Sequence, residues 1–266
     1  MNARDLIRAG RLSEARTQLT EEVKSAPSDF HRRTLLFQVL CFFGEWDKAE
    51  RHLEAISAQD LEAEIGVQVY KNLIHAEKER RNVMKLASRP AFVTETPPFL
   101  EMYFAAWEKL IGKKTEEAGE LYAEIEAKRP LISGTLDGQN FDGFRDLDTF
   151  LSFFFEAIVH ERYIWIPAES VRELSVSPPK TLFDLLWSTA NVTTWDGLSM
   201  NCYFPVLYPD SFLHEDDRVK LGRMTEWTSL GGSFFKGMGQ HLFQIGEEEI
   251  PILEIRNISF NPPVSG

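Results

Sequence analysis

Six histidines, His31, His52, His75, His160, His214 and His241, are the residues most able to bind a metal or move a proton in this chain. No two of them stand in an H-x-x-x-H or His/Cys spacing that would place both on one side of a zinc ion, so the sequence indicates no metal site. The densest ligand-like run is His214-Glu215-Asp216-Asp217. Its oxygens would suit a hard cation, but beside the Tyr208-Pro209-Asp210 turn it reads as a hydrated loop. Cys41 and Cys202 form no C-x-x-C unit and lie far apart, a pattern that fits a reducing compartment better than a disulfide framework.

The glycines at Gly231, Gly232, Gly237 and Gly239 belong to neither G-x-x-x-x-G-K-[ST] nor G-x-G-x-x-G, so they indicate no nucleotide cofactor. They are expected to permit bends or close backbone approach around Phe234 and Phe235. No serine sits in a G-x-S-x-G elbow, and no carboxylate pair has a separation that chain position can establish. On these residues the chain is expected to be no enzyme, with no catalytic residue, cofactor or metal.

The elements that would position such residues divide in two. At 266 residues the chain exceeds the usual size of one domain. Its 43% hydrophobic and 26% charged residues are an ordinary globular balance. No apolar run approaches a membrane helix, and no apolar stretch follows the first charges, so a cytoplasmic protein without a signal peptide is expected. Of the net charge of -12, residues 1–130 hold 20 basic and 22 acidic side chains and the remainder 9 and 19. That balance repels phosphate backbones and excludes nucleic acid as an expected partner.

Internal repetition marks the first part. Gly10-Arg11-Leu12-Ser13-Glu14-Ala15 recurs 34 residues on as Gly44-Glu45-Trp46-Asp47-Lys48-Ala49, the period of tetratricopeptide units. A looser copy, Gly112 to Ala118, carries one extra residue between the Gly and the Ala. Ala15, Leu19 and Val23, then Ala49, Leu53 and Ile56, trace buried helix faces. A long helix is predicted from Leu61 to about Met84 on Leu61, Ile65, Val69 and Leu73, and another from Phe99 to Leu110 with Pro98 in its first turn.

Beyond Pro130 short β-rich runs such as Tyr163-Ile164-Trp165-Ile166 are broken by prolines. The fold class expected is α+β: a tetratricopeptide-like helical domain over 1–130, then a β-rich α+β domain over 131–266. Asp196-Gly197 predicts a hairpin with a type I′ turn. A second hairpin is predicted between Leu242–Ile245 and Ile250–Ile255, with Glu247 to Glu249 in its turn and Pro251 on an edge strand. The triplet reads as a solvated turn, with docking of a basic partner as the alternative.

The segment Phe30 to Phe43 is apolar around most of its circumference, more than one packing face requires. With Leu36 and Leu40 facing a partner helix, Leu35, Gln38 and Phe42 would line the concave side. They form either a peptide groove or a face covered by later helices and the second domain.

Several elements in order along the second part carry a family resemblance: Asp137-Gly138, Glu156-Ala157, Arg162-Tyr163-Ile164-Trp165-Ile166-Pro167, Pro178-Pro179, Leu185-Leu186-Trp187, Leu221-Gly222-Arg223-Met224-Thr225-Glu226-Trp227 and Gly237-Met238-Gly239-Gln240. They closely resemble the ImpE/TagJ family of the type VI secretion system. One departure is Leu207-Tyr208-Pro209-Asp210, where family members commonly carry Arg-Tyr-Pro-Gly. The resemblance implies an accessory protein associated with the contractile sheath through the short N-terminal helix of the small sheath subunit, next to sheath recycling by the ClpV ATPase. It defines no catalytic residue. Arg223, Glu226 and Trp227 are its most characteristic polar and aromatic group, serving either to lock the fold or to bind a partner. A general tetratricopeptide-like peptide-binding chaperone or scaffold outside secretion is the alternative function.

Overall fold

The computed structural model describes residues 1–58 and 64–263. Helices come first: α1 (Ala3–Arg8), α2 (Leu12–Ser25), α3 (Phe30–Phe42), α4 (Trp46–Ser57), α5 (Glu64–Met84), α6 (Leu100–Ile111) and α7 (Thr115–Lys128). Asn2 and Asp5 close α1 with a reciprocal capping box, and the Asp29 side chain caps α3.

The repeat has a physical basis in how these helices end. Gly10 and Gly44 hold positive φ, 77° and 62°. In each case the glycine N–H bonds the carbonyl three residues back, and the following N–H bonds the one five before it, which satisfies carbonyls left over at the helix end. The third copy repeats both bonds, but its left-handed residue is Lys113 (φ 59°), not Gly112. Counted from Lys113, Ala118 falls at the same five-residue step as Ala15 and Ala49, and all three alanines are fully buried where helices cross. The extra residue noticed in the sequence is therefore no insertion. Leu86 (φ 59°) ends α5 with the same pair of bonds.

Two helix expectations need correction. Leu61 lies outside the described residues, and Ile65 is 82% exposed, so the buried stripe of α5 does not include Ile65. It runs through Leu73, Ala76, Arg80 and Val83 at steps of three and four. Pro98 precedes α6, whose N-cap is Phe99.

The second part carries thirteen strands among the described residues: β1 (Ser133–Leu136), β2 (Gln139–Asp142), β3 (Phe144–Asp146), β4 (Phe154–Val159), β5 (Arg162–Pro167), β6 (Val171–Val176), β7 (Trp187–Thr194), β8 (Ser199–Pro205), β9 (Glu226–Gly231), β10 (Phe234–Met238), β11 (Leu242–Ile245), β12 (Glu248–Pro251) and β13 (Asn257–Phe260). A short helix, α8 (Asp217–Lys220), precedes β9. Eight strands form one antiparallel sheet in the order β2-β1-β13-β6-β7-β8-β4-β5. Beside it stand a three-stranded sheet, β12-β11-β3, and the hairpin β9-β10.

The β7–β8 hairpin forms at Asp196-Gly197, with a different turn from the one expected. Only Gly197 has positive φ, 88°, and its N–H bonds Thr194 O at 3.1 Å, as in a type I turn followed by a left-handed glycine. In the second hairpin the turn is shorter than predicted: Glu248 and Glu249 pair with Ile245 and Gln244, so they belong to the strand. Pro251 does lie on an edge strand.

Helices and sheet share one core. The α6 residues Tyr103, Phe104 and Trp107 pack on Phe153, Phe154 and Trp165 of the β4–β5 region, with Phe154 4.6 Å and Trp107 5.6 Å from the Trp165 ring. Full burial of each such side chain is worth about 2–3 kcal/mol. The exposed edge that β5 would otherwise leave is closed by Ala91 O, which accepts from Trp165 N at 2.9 Å, and by Glu79 of α5, which accepts from Tyr163 N at 3.0 Å.

Candidate functional site

Ionisable groups converge where α5 meets the sheets. Arg80, in the apolar stripe of α5, donates to both Glu156 carboxylate oxygens at 2.8 and 2.5 Å and to Leu207 O at 2.8 Å. Glu77 lies 3.4 Å from the same guanidinium and also accepts from Trp187 Nε1 at 2.9 Å. Glu156 further accepts from the Tyr163 hydroxyl and meets His241 Nε2 at 3.1 Å. His241 Nδ1 lies 2.7 Å from Asp146, which accepts from Tyr208 at 2.7 Å. Asp148 accepts from the N–H groups of Phe150 at 2.8 Å and Gly237 at 2.7 Å.

Burial and neighbours set the protonation of this cluster. Burial alone would raise Glu156, but Arg80 and His241 hold it down at about 2. For His241 burial works downward, and Asp146 and Glu156 more than reverse it, to about 9. Burial and the adjacent Asp146 push Asp148 up to about 7 against its two backbone donors. Arg80 and His241 thus face Glu156 and Asp146, and Asp148 is displaced far above the usual carboxylate range. Arg80, Asp146, Asp148, Glu156 and His241 are all buried, and each already has its partners. Such a cluster orders the fold, with its charged groups almost wholly removed from solvent. Among the described residues no group of three His, Cys, Asp or Glu side chains is placed to hold a metal ion.

A groove of about 860 Å³ opens next to it, with Asp146 common to both. Tyr122 on α7 faces Phe234 across one end, rings 5.2 Å apart. The opposite wall is Trp227 of β9 with Phe235 of β10, which remain 36% and 40% exposed. On the strand side Arg145, Gln244 and Glu249 stand in one cross-strand row. Gly237 makes this wall possible: a Cβ there would come within 2.5 Å of the Tyr208 ring and 3.0 Å of Trp227. Trp227 can therefore lie against Tyr208, 5.6 Å between ring centres.

The six residues singled out in the sequence do not form one site. Phe42 is 1% exposed and part of the core, so of the two alternatives for its face the covered one fits the described residues. Leu35 packs on the same core and Gln38 is half-buried. The other side of the same helix is covered by both later elements, since Phe37 meets Tyr70 of α5 and Phe183 of the second part at 5.4 and 5.0 Å. Arg223 donates to Arg8 O at 2.8 Å and Ile7 O at 3.0 Å, binding the carbonyl end of α1. Glu226 is exposed and lies 3.1 Å from His214 Nε2. Trp227 alone of the six lines the groove.

The His214 to Asp217 run is likewise no simple hydrated loop. Asp216 caps α8, and Asp217 accepts from the Ser13 backbone at 2.7 Å and its hydroxyl at 2.8 Å, fastening α2 to the second part.

Residues 138–259 match the family described as ImpE protein. The chain is 32% identical, over 262 residues, to a Pseudomonas aeruginosa protein named type VI secretion system accessory component TagJ; the match covers 98% of this chain and 92% of that one. The chain belongs to the ImpE/TagJ family. A crystal structure of a Vibrio parahaemolyticus protein has the same fold, with a TM-score of 0.87 at 22% identity over 97% of each chain. Several motifs that carry the ImpE/TagJ resemblance turn out to build the cluster: Glu156, Tyr163 with Trp165, Trp187, and the N–H of Gly237. At the departure from the family pattern, Asp210 occupies the left-handed position of the usual glycine (φ 64°) and lies near Arg81 and Lys236, at 3.9 and 3.6 Å. Of the central residues of the cluster, only His241 stands among the candidates the sequence offers; Arg80, Asp146 and Asp148 do not. One signal was available: Arg80 falls in phase with Leu73, Ala76 and Val83, where an arginine needs a buried partner.

Proposed function

We propose that the protein is a non-catalytic accessory and adaptor subunit of a type VI secretion system that holds the contractile sheath through the short N-terminal helix of the small sheath subunit, and that its work is linked to ClpV-dependent sheath recycling. The observation that carries this reading is the end-to-end similarity to a protein named as an accessory component of that system. The chemistry agrees with it, because the ionisable groups that converge are sealed in the core while the accessible groove is walled by aromatic side chains. Binding surfaces, unlike most catalytic sites, need no buried acid–base pair in contact with solvent. Within this reading Trp227 and Glu226 are the partner-binding residues, and Leu35, Gln38, Phe42 and Arg223 support the fold that presents them.

Affinity capture of the full chain from its native cytoplasm tests the proposal. Recovery of the small and large sheath subunits is expected. A set of unrelated client proteins without sheath subunits would instead favour a general peptide-binding chaperone. No helix among the described residues is long and apolar enough to cross a membrane.

A further inference from the structure

We propose that the groove between α7 and the β9–β10 hairpin is a docking site for a basic amphipathic peptide segment, apolar along one side and flanked by Lys or Arg. This deepens the adaptor reading and rests on it, by assigning the partner a surface and a chemistry.

Two independent features point to that occupant. Trp227 and Phe235 face the groove more than one-third exposed, in a protein whose other large aromatics are mostly buried. Aromatic side chains left open in a concave wall are the usual anchors of a partner's apolar residues. Around them stand Glu116, Glu126 and Glu249, all exposed. Their neighbours on α7 are already neutralised, Glu117 by Lys109 and Lys114 and Glu124 by Lys128, whereas these three enter no ion pair among the described residues. Against them the groove offers one guanidinium, Arg145, two strands away from Glu249. Three carboxylates less one cation leave two negative charges around an apolar wall. A partner that covers the aromatics must bring those carboxylates into a drier environment, where an unpaired charge is costly and a facing cation is rewarded. An acidic or phosphate-bearing partner would meet repulsion at the same rim, which removes nucleic acid and anionic lipid surfaces from consideration.

The test uses the purified full chain and a fluorescein-labelled synthetic helix bearing leucines along one face and lysines beside it, compared with the same peptide carrying glutamate for lysine. Fluorescence anisotropy should show the lysine peptide binding at least about ten-fold more tightly than the glutamate peptide, with affinity falling as salt rises. The double variant Trp227→Ala, Phe235→Ser should weaken binding by about ten-fold or more while the unfolding midpoint stays near wild type. Glu116→Lys with Glu249→Lys should transfer the preference to the glutamate peptide. Glu54→Lys with Glu161→Lys changes net charge equally far from the groove and should alter affinity by less than about two-fold. Equal affinity for both peptides, wild-type binding by the aromatic double variant, or equal loss in the distant charge variant would each overturn the proposal. Sheath capture by wild-type protein is scored separately: capture with failed peptide binding removes the groove and leaves the adaptor reading, and the reverse result removes the adaptor reading alone.

Discussion

The buried cluster and the open groove use the same residue types to opposite ends. In the cluster Arg80, Glu156, His241 and Asp146 lie in the core with every charge matched by a hydrogen-bonded partner. In the groove, Trp227 and Phe235 stand partly in solvent, and three exposed carboxylates enter no ion pair among the described residues. The difference shows that convergence of titratable side chains does not by itself mark a site of action. Charges removed from water are stable only when fully paired, and full pairing leaves nothing for a ligand. Incomplete pairing at an accessible surface is what a partner can exploit.

The comparison breaks most visibly at Arg80. Arg80→Met should leave Glu156 and Asp146 with too little positive charge in the core and destabilise the protein by about 3–5 kcal/mol in urea unfolding. Adding Glu156→Gln should restore part of the loss. If Arg80→Met unfolds like wild type, the cluster is not the tie between helices and sheet.

The same tie bears on domain organisation. The helical part ends at Lys128 and the first strand begins at Ser133, near the predicted boundary. Arg80–Glu156, Arg129–Glu169 at 2.6 Å and Ser13–Asp217 all cross it. Thermal unfolding followed separately by far-ultraviolet circular dichroism and by tryptophan fluorescence should therefore give one coincident transition. Two resolved transitions would mean that the parts are independent domains after all.

Protonation gives a graded version of the contrast. Glu156, at about 2 instead of 4.5, contributes stability that is present above 4.5 and lost as pH falls through about 2. His241, at about 9 instead of 6.5, contributes stability that is complete below 6.5 and lost as pH rises through about 9. Asp148, held at about 7 instead of 3.8, adds a cost that develops as pH climbs from 3.8 through about 7. Unfolding midpoints should accordingly decline from pH 4.5 toward about 9. Asp148→Asn should flatten the part of that decline below pH 7 and leave the His241 part, and an unchanged profile would separate Asp148 from it.

The smallest expected effect on stability lies in the groove. Trp227→Ala should lower the unfolding free energy by about 1–2 kcal/mol, less than a core aromatic, since the ring rests on Tyr208 but is partly in water. A larger loss would show that Trp227 is a core residue and weaken the case for a docking surface.

What the sequence alone determined here is local or periodic. Gly10 and Gly44 imply left-handed helix ends because a residue without Cβ adopts that conformation at little cost, and Ala15 and Ala49 five residues later imply close helix contact. Asp196-Gly197 set a hairpin, and prolines after position 130 marked the change to strands. The third repeat was read with an extra residue because Lys113 takes a left-handed position without the residue type that advertises it. What only tertiary structure decided is which surfaces meet. The apolar circumference of α3 was evident, but only the packed structure decides that Phe42 faces the core, 1% exposed, and that Phe37 meets Phe183, more than a hundred residues later. Arg80 and Glu156 are 76 positions apart and His241 and Asp146 are 95 apart. No spacing encodes such a pairing, because a buried charge specifies only that a partner must exist, while the fold chooses which residue it is.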